Sequence, residues 1–560
     1  MKRDLEVYVA NAVQELYGLN VGVELTRPEE KFGDYATNVA LQLSKELGKN
    51  PREVASELIT KLEQTANQSI DSLTIAGPGF INLSLTDKAL IESMYIAPAK
   101  SLINKTIVAE YSDPNPFKVL HAGHLYTSLV GDAVANLMEY AGAEVHRVNF
   151  GGDVGLHVGK TMWAILDELG GEFPDKLGNI ADTDKDKLDW LSQRYVIGTT
   201  AYEEYDEAKQ EIAAINKRVY EIHAQNDHDS DFAKIYWTCR KWSYDGFDDL
   251  YKRLQMVPFD KYYPESTVAD LGLATVKEHI GPVYEESDGA VIFRGESYGL
   301  FTQVFINSEG LPTYAAKDVG LIYHKNEDFT PDMSFIFTDV SQKDHLSVVM
   351  KSIEQYAPEL VKATTHYTHG QIKMAGGVKM SSRKGNILKA SDILDAARTA
   401  STELSGQEDH NVLLAAVKYA FLKNRIGGDI VYDPKESVSM EGNSGPYLQY
   451  AHARARSILR KVDADDNHQF SAESLEADER SLARKISEYP EVVDKAVADL
   501  TPHHITTYLY ELAQTFNRFY EHNRVIGEER QAERLALVKI YADTLKIGLG
   551  VLEIPTPDRM

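Results

Sequence analysis

The sequence predicts an α/β protein in three parts: a small α+β unit, a parallel-sheet domain, and an all-α helical bundle at the C-terminal end. Three observations predict this. From Lys105 a strand, a helix and a second strand follow one another within about 45 residues, and a βαβ unit of that length implies parallel pairing. The first 95 residues mix helical periodicity with short strand-like runs. From about residue 386 onward the pattern is almost wholly helical.

The elements are justified in chain order. Apolar residues at helical spacing mark 2–17 (Leu5, Val9, Ala12, Val13 and Leu16), and similar patterns mark 33–48 and 51–67. The runs SLTIAG and GFINLSL then read as strands joined by the turn Gly77-Pro78-Gly79, with a polar connector near 96–105. Lys105–Ser112 is β-branched and apolar, and Asp113-Pro114-Asn115-Pro116 closes it. Leu125, Leu129, Ala133, Leu137 and Tyr140 keep helical spacing up to a stop at Gly142, and VHRVNF is the next strand. Residues 165–250 are long, charged and helical, and read as an insertion. Strands return at AVIFRG, FTQVFIN and MSFIFTDV. Asp463–Ser481 is polar and reads as a surface loop between helices.

Bulk properties narrow the function. A chain of 560 residues suits about three to four domains. No apolar run approaches the roughly 18–20 residues of a membrane span. The N-terminus carries Asp4 and Glu6 and lacks an apolar core run, so it reads as a mature helix rather than a signal peptide. The single cysteine, Cys239, excludes an internal disulfide and a cysteine-based zinc site, and fits a reducing cytoplasm. The net charge of −26 argues against a nonspecific nucleic-acid binder but leaves room for a specific RNA-binding enzyme with a local basic face.

Two segments carry chemistry. His121-Ala122-Gly123-His124 sits where a strand turns into a helix, the place where parallel sheets bind nucleotides. Gly123 lets a planar base approach the backbone, and the two histidines share one helix face from which each can donate to phosphate oxygens. Lys379-Met380-Ser381-Ser382-Arg383-Lys384-Gly385, with Gly376 and Gly377 before it, reads as a mobile loop whose cations and hydroxyls suit a polyphosphate. Gly155-Leu156-His157-Val158-Gly159-Lys160-Thr161 is not a phosphate-binding P-loop, because that motif needs four residues between its glycines and this has three.

In this order and spacing the two segments resemble the HIGH and KMSKS signatures of class I aminoacyl-tRNA synthetases. Ser382 stands where the second signature has lysine, and Arg383 and Lys384 follow to supply charge. Further segments are similar to the arginyl enzymes of that class. They are Gly33–Asn38, Asp113–Lys118, Asn149–Gly155, Phe259–Ser266, Leu311–Gly320, Asp339–His345 and Asn443–Arg454.

The resemblance implies a Rossmann-like catalytic domain over 98–385 with its helical insertion at about 165–250. It also implies an N-terminal domain over 1–97 that touches the tRNA elbow and an anticodon-binding helical domain over 386–560. The implied reaction joins L-arginine to the 3′ end of tRNA(Arg) through an arginyl-adenylate and releases AMP and pyrophosphate, with tRNA bound before the first step. ATP is the co-substrate, and Mg²⁺ is expected with it, without a dedicated protein cage. The implied protein is a cytoplasmic monomer.

Residue by residue, Lys118, His121, His124, Lys379 and Lys384 are implied as catalytic. ATP falls to His121, Gly123, His124, Lys379, Met380, Ser381, Ser382 and Arg383. Glu265 and Asp318 are implied as arginine's carboxylate partners, with Tyr314 against the guanidinium, Gln342 nearby, and Asn115 and Asp113 at the amino-acid end. The physics agrees: a guanidinium is a planar fork of five donors that carboxylates match bidentately, and a lysine or citrulline would leave acceptors unmatched. For tRNA, the segment implies Tyr447, Tyr450, His452, Arg454 and Arg456, and the family's ending implies Met560. His452, Arg456 and Arg460 recur every four residues as a basic stripe beside Tyr447 and Tyr450, a combination that suits unpaired bases. Phe516, Phe519 and Tyr520 read as core. Two alternatives remain: a class I synthetase for another amino acid, which would lack the Glu265 and Asp318 pair, and a catalytically inactive synthetase-like RNA-binding protein.

Overall fold

The structure, a computed structural model, describes residues 1–560 apart from 66, 181–182, 376–387, 407, 463–469 and 471–472. The N-terminal unit runs α1 (Lys2–Tyr17), β1 (Tyr35–Thr37), α2 (Val39–Leu47), α3 (Pro51–Thr65), β2 (Ile70–Ala76), β3 (Phe80–Leu85) and α4 (Asp87–Ser93). Its antiparallel sheet has the order β1-β3-β2, and Leu5, Val9, Ala12 and Val13 of α1 are buried, as their spacing requires. The helix expected over 33–48 begins only at Val39. Tyr35–Thr37 instead pairs with Ile81–Leu83 as a fully buried strand, so sheet pairing overrides the local helical pattern.

The central domain contains β4 (Thr106–Glu110), α5 (Ala122–Tyr140), β5 (Glu144–Gly151), α6 (Leu156–Leu169), α7 (Asp184–Glu204), α8 (Asp206–Ala224), α9 (Asp231–Arg253), β6 (Lys261–Pro264) and α10 (Glu265–Glu278). A three-stranded antiparallel sheet follows, formed by β7 (Glu285–Ser287), β8 (Ala290–Phe293) and β9 (Gln303–Ile306). Then come α11 (Tyr314–Phe329), β10 (Met333–Asp339), α12 (Lys343–Glu354), α13 (Pro358–Ala363), β11 (Thr364–His369) and β12 (Ile372–Met374). The main sheet has the order β11-β10-β4-β5-β6, and every pairing in it is parallel. The chain runs outward from β4 to β6, then returns to the other side of β4 as β10. That reversal opens a crevice beyond the carboxyl ends of β4 and β10, where sheets of this kind bind ligands.

Helices α7, α8 and α9 fill the region expected as an insertion and share a core of Trp190, Leu191, Val219, Phe232, Tyr236 and the free thiol Cys239. Helices α10 and α11 touch backbone to backbone. A Cβ on Gly272 would meet the Ala316 carbonyl oxygen at 1.9 Å, so only glycine permits this approach.

The C-terminal part comprises α14 (Ala390–Ser405), α15 (His410–Leu422), β13 (Ile430–Tyr432), α16 (Pro434–Ser437), α17 (Gly445–Arg460), α18 (Ala477–Ser487), α19 (Tyr489–Asp499), α20 (His503–His522) and α21 (Gln531–Val551). Two expectations are corrected here. Ile430–Tyr432 is a strand paired with β12 inside a segment read as helical. Helix α18 begins inside the stretch read as a loop, capped by Glu476 and Glu479 and anchored by buried Leu482, Ala483 and Ile486. It docks onto the N-terminal unit: Asp34, almost fully buried, accepts from Arg480 at 2.6 Å and lies 3.5 Å from Arg484, while Arg27 and Tyr35 each reach Glu491 of α19 at 2.7 Å. Among the described residues no helix is long and apolar enough to cross a membrane.

Candidate active site

The site starts in the loop after β4. Ser112, Asp113 and Phe117 all have positive φ (75°, 48° and 66°), which non-glycine residues adopt only when the surroundings enforce it. Phe117 supplies much of that enforcement. It is buried in the insertion's core, stacked on Tyr236 at 5.4 Å between ring centroids, and its N–H donates to Ser243 Oγ at 3.0 Å. The loop then fastens to the end of β5. Asp113 Oδ1 accepts from the Phe150 N–H at 2.7 Å, and Asn115 Oδ1 accepts from the Gly152 N–H at 3.0 Å. Burial, with Glu110 adding to it, pushes the Asp113 carboxyl well above the usual range.

The histidine pair caps α5. His121 Nδ1 accepts from the Gly123 N–H at 3.1 Å, and His124 Nδ1 accepts from the His121 N–H at 3.3 Å, a reciprocal capping box. The rings stack at 3.8 Å. Burial lowers His121 to about 4 and His124 well below its ordinary value, so both are neutral. A neutral imidazole whose Nδ1 accepts carries its proton on Nε2. Among the described residues neither Nε2 has a partner, so both N–H groups are available to an anion. A Cβ on Gly123 would lie 2.9 Å from the His121 ring, so the glycine also makes room for the cap. Lys118 stands beside them. Burial lowers it to about 8, and its ammonium lies 5.1 Å from the centre of the Tyr195 ring.

The opposite wall comes from α10, α11 and α12. Asp153 fixes the start of α10: its carboxylate accepts from the Ser266 N–H (2.9 Å), the Ser266 hydroxyl (2.8 Å) and Arg240 (3.0 Å). The first residue of α10, Glu265, is thereby aimed inward, where it meets Lys317 of α11 at 2.5 Å. Asp318, the next residue on α11, accepts from His345 Nε2 of α12 at 2.6 Å. Burial works against the charge on His345, but the bond to Asp318 overcomes it and raises the imidazole above its ordinary value. Tyr314 leaves half its surface open and bonds His157 Nδ1 through its hydroxyl at 3.2 Å.

A cavity of about 680 Å³ joins the two walls. It is lined by Asp113, Asn115, Lys118, His121, Gly123, His124, Glu265, Tyr314, Asp318 and Gln342. These are all of the described residues that the sequence assigns to arginine, ATP or catalysis. Lys379, Met380, Ser381, Ser382, Arg383 and Lys384 lie outside the described residues. The segment that follows them is anchored at the site: Leu388 and Ala390 exchange backbone hydrogen bonds with Ala122 and Leu120, which lays this segment antiparallel to the histidines. Sequence reasoning missed Lys317, His345 and Asp153. Each sits in a segment already singled out, and Lys317 and His345 lie one and three positions from a chosen residue, but nothing in the spacing distinguishes an ion-pair partner from a ligand.

Three family models match successive parts of the chain. An arginyl tRNA synthetase N terminal domain covers residues 3–85, the catalytic domain of tRNA synthetases class I (R) covers 86–433, and a DALR anticodon binding domain covers 448–560. The chain belongs to the arginyl-tRNA synthetase family. An arginine–tRNA ligase of Fusobacterium nucleatum is 30% identical over 96% of this chain and 95% of its own length. One from Phocaeicola vulgatus is 28% identical over the whole of both chains. The solved arginyl-tRNA synthetase of Thermus thermophilus shares the fold over the full length of both chains, with a TM-score of 0.79 at 24% identity.

In this member of the arginyl-tRNA synthetase family the expected RNA stripe needs correction. His452 is fully buried, and its Nδ1 bonds the Pro557 carbonyl at 3.2 Å. Arg456 faces Asp558 at 3.4 Å, and Arg460 donates to the Asp558 carbonyl at 2.8 Å. The i, i+4 stripe therefore seats the chain's own tail, and His452 is closed to RNA. Tyr450 and Met560 are exposed. Tyr447 accepts from Asn517 at 2.8 Å, and Arg454 lies over the Tyr520 ring at 4.5 Å. Phe516 and Phe519 are core, as their pattern predicts.

Proposed function

We propose that this chain ligates L-arginine to the 3′ end of tRNA(Arg) with ATP. The observation that carries the reading is the single cavity in which two neutral, N–H-presenting histidines face a wall of carboxylates and an open tyrosine ring. The arginine carboxylate attacks the α-phosphorus of ATP, which enters as its Mg²⁺ complex, and the bond to the β-phosphate breaks as pyrophosphate leaves. The terminal ribose hydroxyl of tRNA then attacks the carbonyl carbon of the adenylate and AMP leaves. No protein nucleophile is needed, so positioning and charge stabilisation supply the rate.

In this reading His121, His124 and Lys118 hold phosphate oxygens, and Lys379, Ser381, Ser382, Arg383 and Lys384 serve the leaving pyrophosphate. The pairing of Leu388 and Ala390, which follow them in the chain, with the histidine segment supports that role. Glu265 and Asp318 take the guanidinium, Tyr314 packs on its face, Gln342 lies at the rim, and Asn115 and Asp113 face the amino-acid end. We assign the tRNA elbow to residues 1–97 and the anticodon to 386–560, with Tyr447, Tyr450, Arg454 and Met560 on the RNA side and Arg456 shared with the tail. The buried thiol Cys239 fits a cytoplasmic enzyme, and we take it to act as a monomer.

The test is arginine-dependent exchange of pyrophosphate into ATP, with and without tRNA, against lysine and citrulline. Exchange with arginine alone among these, and only with tRNA present, is expected. Folded protein that exchanges with no amino acid would favour the inactive RNA-binding alternative.

A further inference from the structure

Helix α11 brings two charged residues to the site side by side, and only Asp318 has so far been given a role. Lys317 is as deeply buried as its partner Glu265: each side chain is 3% exposed, and Nζ lies 2.5 Å from Oε2. Tyr314 and Tyr220 flank the ammonium at 5.2 and 5.6 Å. The other carboxylate oxygen lies beside Gly152. A Cβ on Gly152 would meet Asn115 Oδ1 at 2.3 Å and Glu265 Oε1 at 2.9 Å, so the glycine is what lets these two groups converge. One oxygen of Glu265 is thus committed to the protein's own lysine, while the other has no hydrogen bond among the described residues and the side chain lines the cavity.

We propose that Lys317 is a positioning residue for arginine recognition, holding Glu265 ionised and turned so that one oxygen remains for the substrate guanidinium. The proposal rests on the reading of Glu265 as a guanidinium partner. Its physical basis is that a carboxylate this deeply buried without a cation takes up a proton, and a protonated acid offers a donor where the guanidinium needs an acceptor. Burial already pushes Glu265 above the usual carboxylate range, and Lys317 is the main influence pulling it back. The other groups facing Glu265 do not replace it. Asp153 and Asp318 push the same way as burial, and Tyr220, Tyr244 and Tyr314 are neutral; Lys118 feels the Glu265 charge but lies against the Tyr195 ring and forms no ion pair with Glu265 among the described residues.

The experiment measures KM for arginine, KM for ATP and kcat against pH in the full-length enzyme with tRNA, for Lys317→Met, Lys317→Arg, Glu265→Gln and the double variant. Lys317→Met is expected to raise arginine KM roughly 10- to 100-fold near neutral pH, the value of one charge-assisted hydrogen bond. ATP KM should barely change. The defect should shrink as pH rises, because a buried glutamate without its cation regains its charge only in more alkaline solution. Lys317→Arg should restore most of the affinity. A rise in arginine KM that is the same at every pH would overturn the proposal, as would an equal rise in ATP KM.

If Lys317→Met does not fold, the double variant, which buries no charge at this pair, still decides. Measured against Glu265→Gln alone, it should lose no further arginine affinity, and a large additional loss would overturn the proposal. Unchanged arginine KM in Glu265→Gln would sink the underlying reading of Glu265, and the proposal with it, whatever the lysine variants do.

Discussion

His121 performs two tasks that one substitution can separate. Its Nδ1 caps α5 by accepting the Gly123 N–H at 3.1 Å, while its Nε2–H is open to the cavity. Asparagine is a strong N-cap and keeps an acceptor for that N–H, but it cannot place a donor where Nε2 stands. His121→Asn should therefore leave helix stability close to that of the parent. His121→Ala should lose about 1 kcal/mol, the usual value of a cap. Both should lose one preorganised donor to the developing phosphate charge, which is worth about 2.7–4 kcal/mol or 10²–10³-fold in rate. The assays are thermal unfolding followed by circular dichroism and arginine-dependent pyrophosphate exchange with tRNA. If His121→Asn exchanges within about threefold of the parent, the imidazole is only a cap and its catalytic assignment is refuted. If Asn and Ala destabilise equally, the capping geometry is refuted instead.

Other consequences follow from the same geometry. Because burial holds His121 at about 4, it is neutral across the working range, and kcat/KM should show no break near the ordinary imidazole value of about 6.5 that His121→Asn removes. Between about 6.5 and about 4 the unfolded chain binds a proton that folded His121 refuses, so its contribution makes stability fall as pH drops through that window, which acid titration of unfolding will test. Gly152→Ala should raise arginine KM at least tenfold, since its Cβ would overlap Asn115 and crowd Glu265, and steady-state kinetics in arginine measures this. Asp34→Ala should open the junction between the N-terminal unit and α18 at a cost of about 3 kcal/mol, visible as faster limited proteolysis near residue 100. Removing residues 555–560 takes away the carbonyls that hold Gln449, His452 and Arg460, so amides of α17 should exchange faster with solvent.

The fold was legible where the signal was periodic and long. The run at 105–150 gave β4, α5 and β5 because its apolar residues switch cleanly from strand to helical spacing. The three-residue strands were not legible. Tyr35–Thr37 and Ile430–Tyr432 are three residues each, too few for a period, and both exist only through a distant partner strand. The site divides in the same way. Asp113, Asn115, Glu265, Tyr314 and Asp318 were found through segments of family type, and the structure brings them to one cavity. The stripe His452, Arg456 and Arg460 had the right spacing, but all three reach the chain's own tail and buried His452 is closed to RNA. A helix face records that three cations point the same way, but not whether RNA or the chain's own tail lies opposite.

Charge explains why a site with so many acids can receive a polyanionic nucleotide. Glu110, Asp113, Glu265, Asp318 and Asp339 all line the cavity, and from sequence alone their sum would repel a triphosphate. The fold cancels that sum locally. Lys325 and Lys317, eight residues apart on one face of α11, pair Glu110 and Glu265, each at or just beyond the carboxyl end of a strand. His345 pairs Asp318, and burial drives Asp113 toward its neutral form. In the proposed placement, a nucleotide at the α5 end meets not the acid wall but two imidazole N–H groups, the helix N-terminus and Lys118. The remaining unsatisfied acceptors lie at the α10–α11 end, where only a cationic side chain compensates them. On the proposed assignment, separating the two ends by strand order, with nucleotide against α5 and guanidinium against α10 and α11, lets one cavity hold substrates of opposite charge.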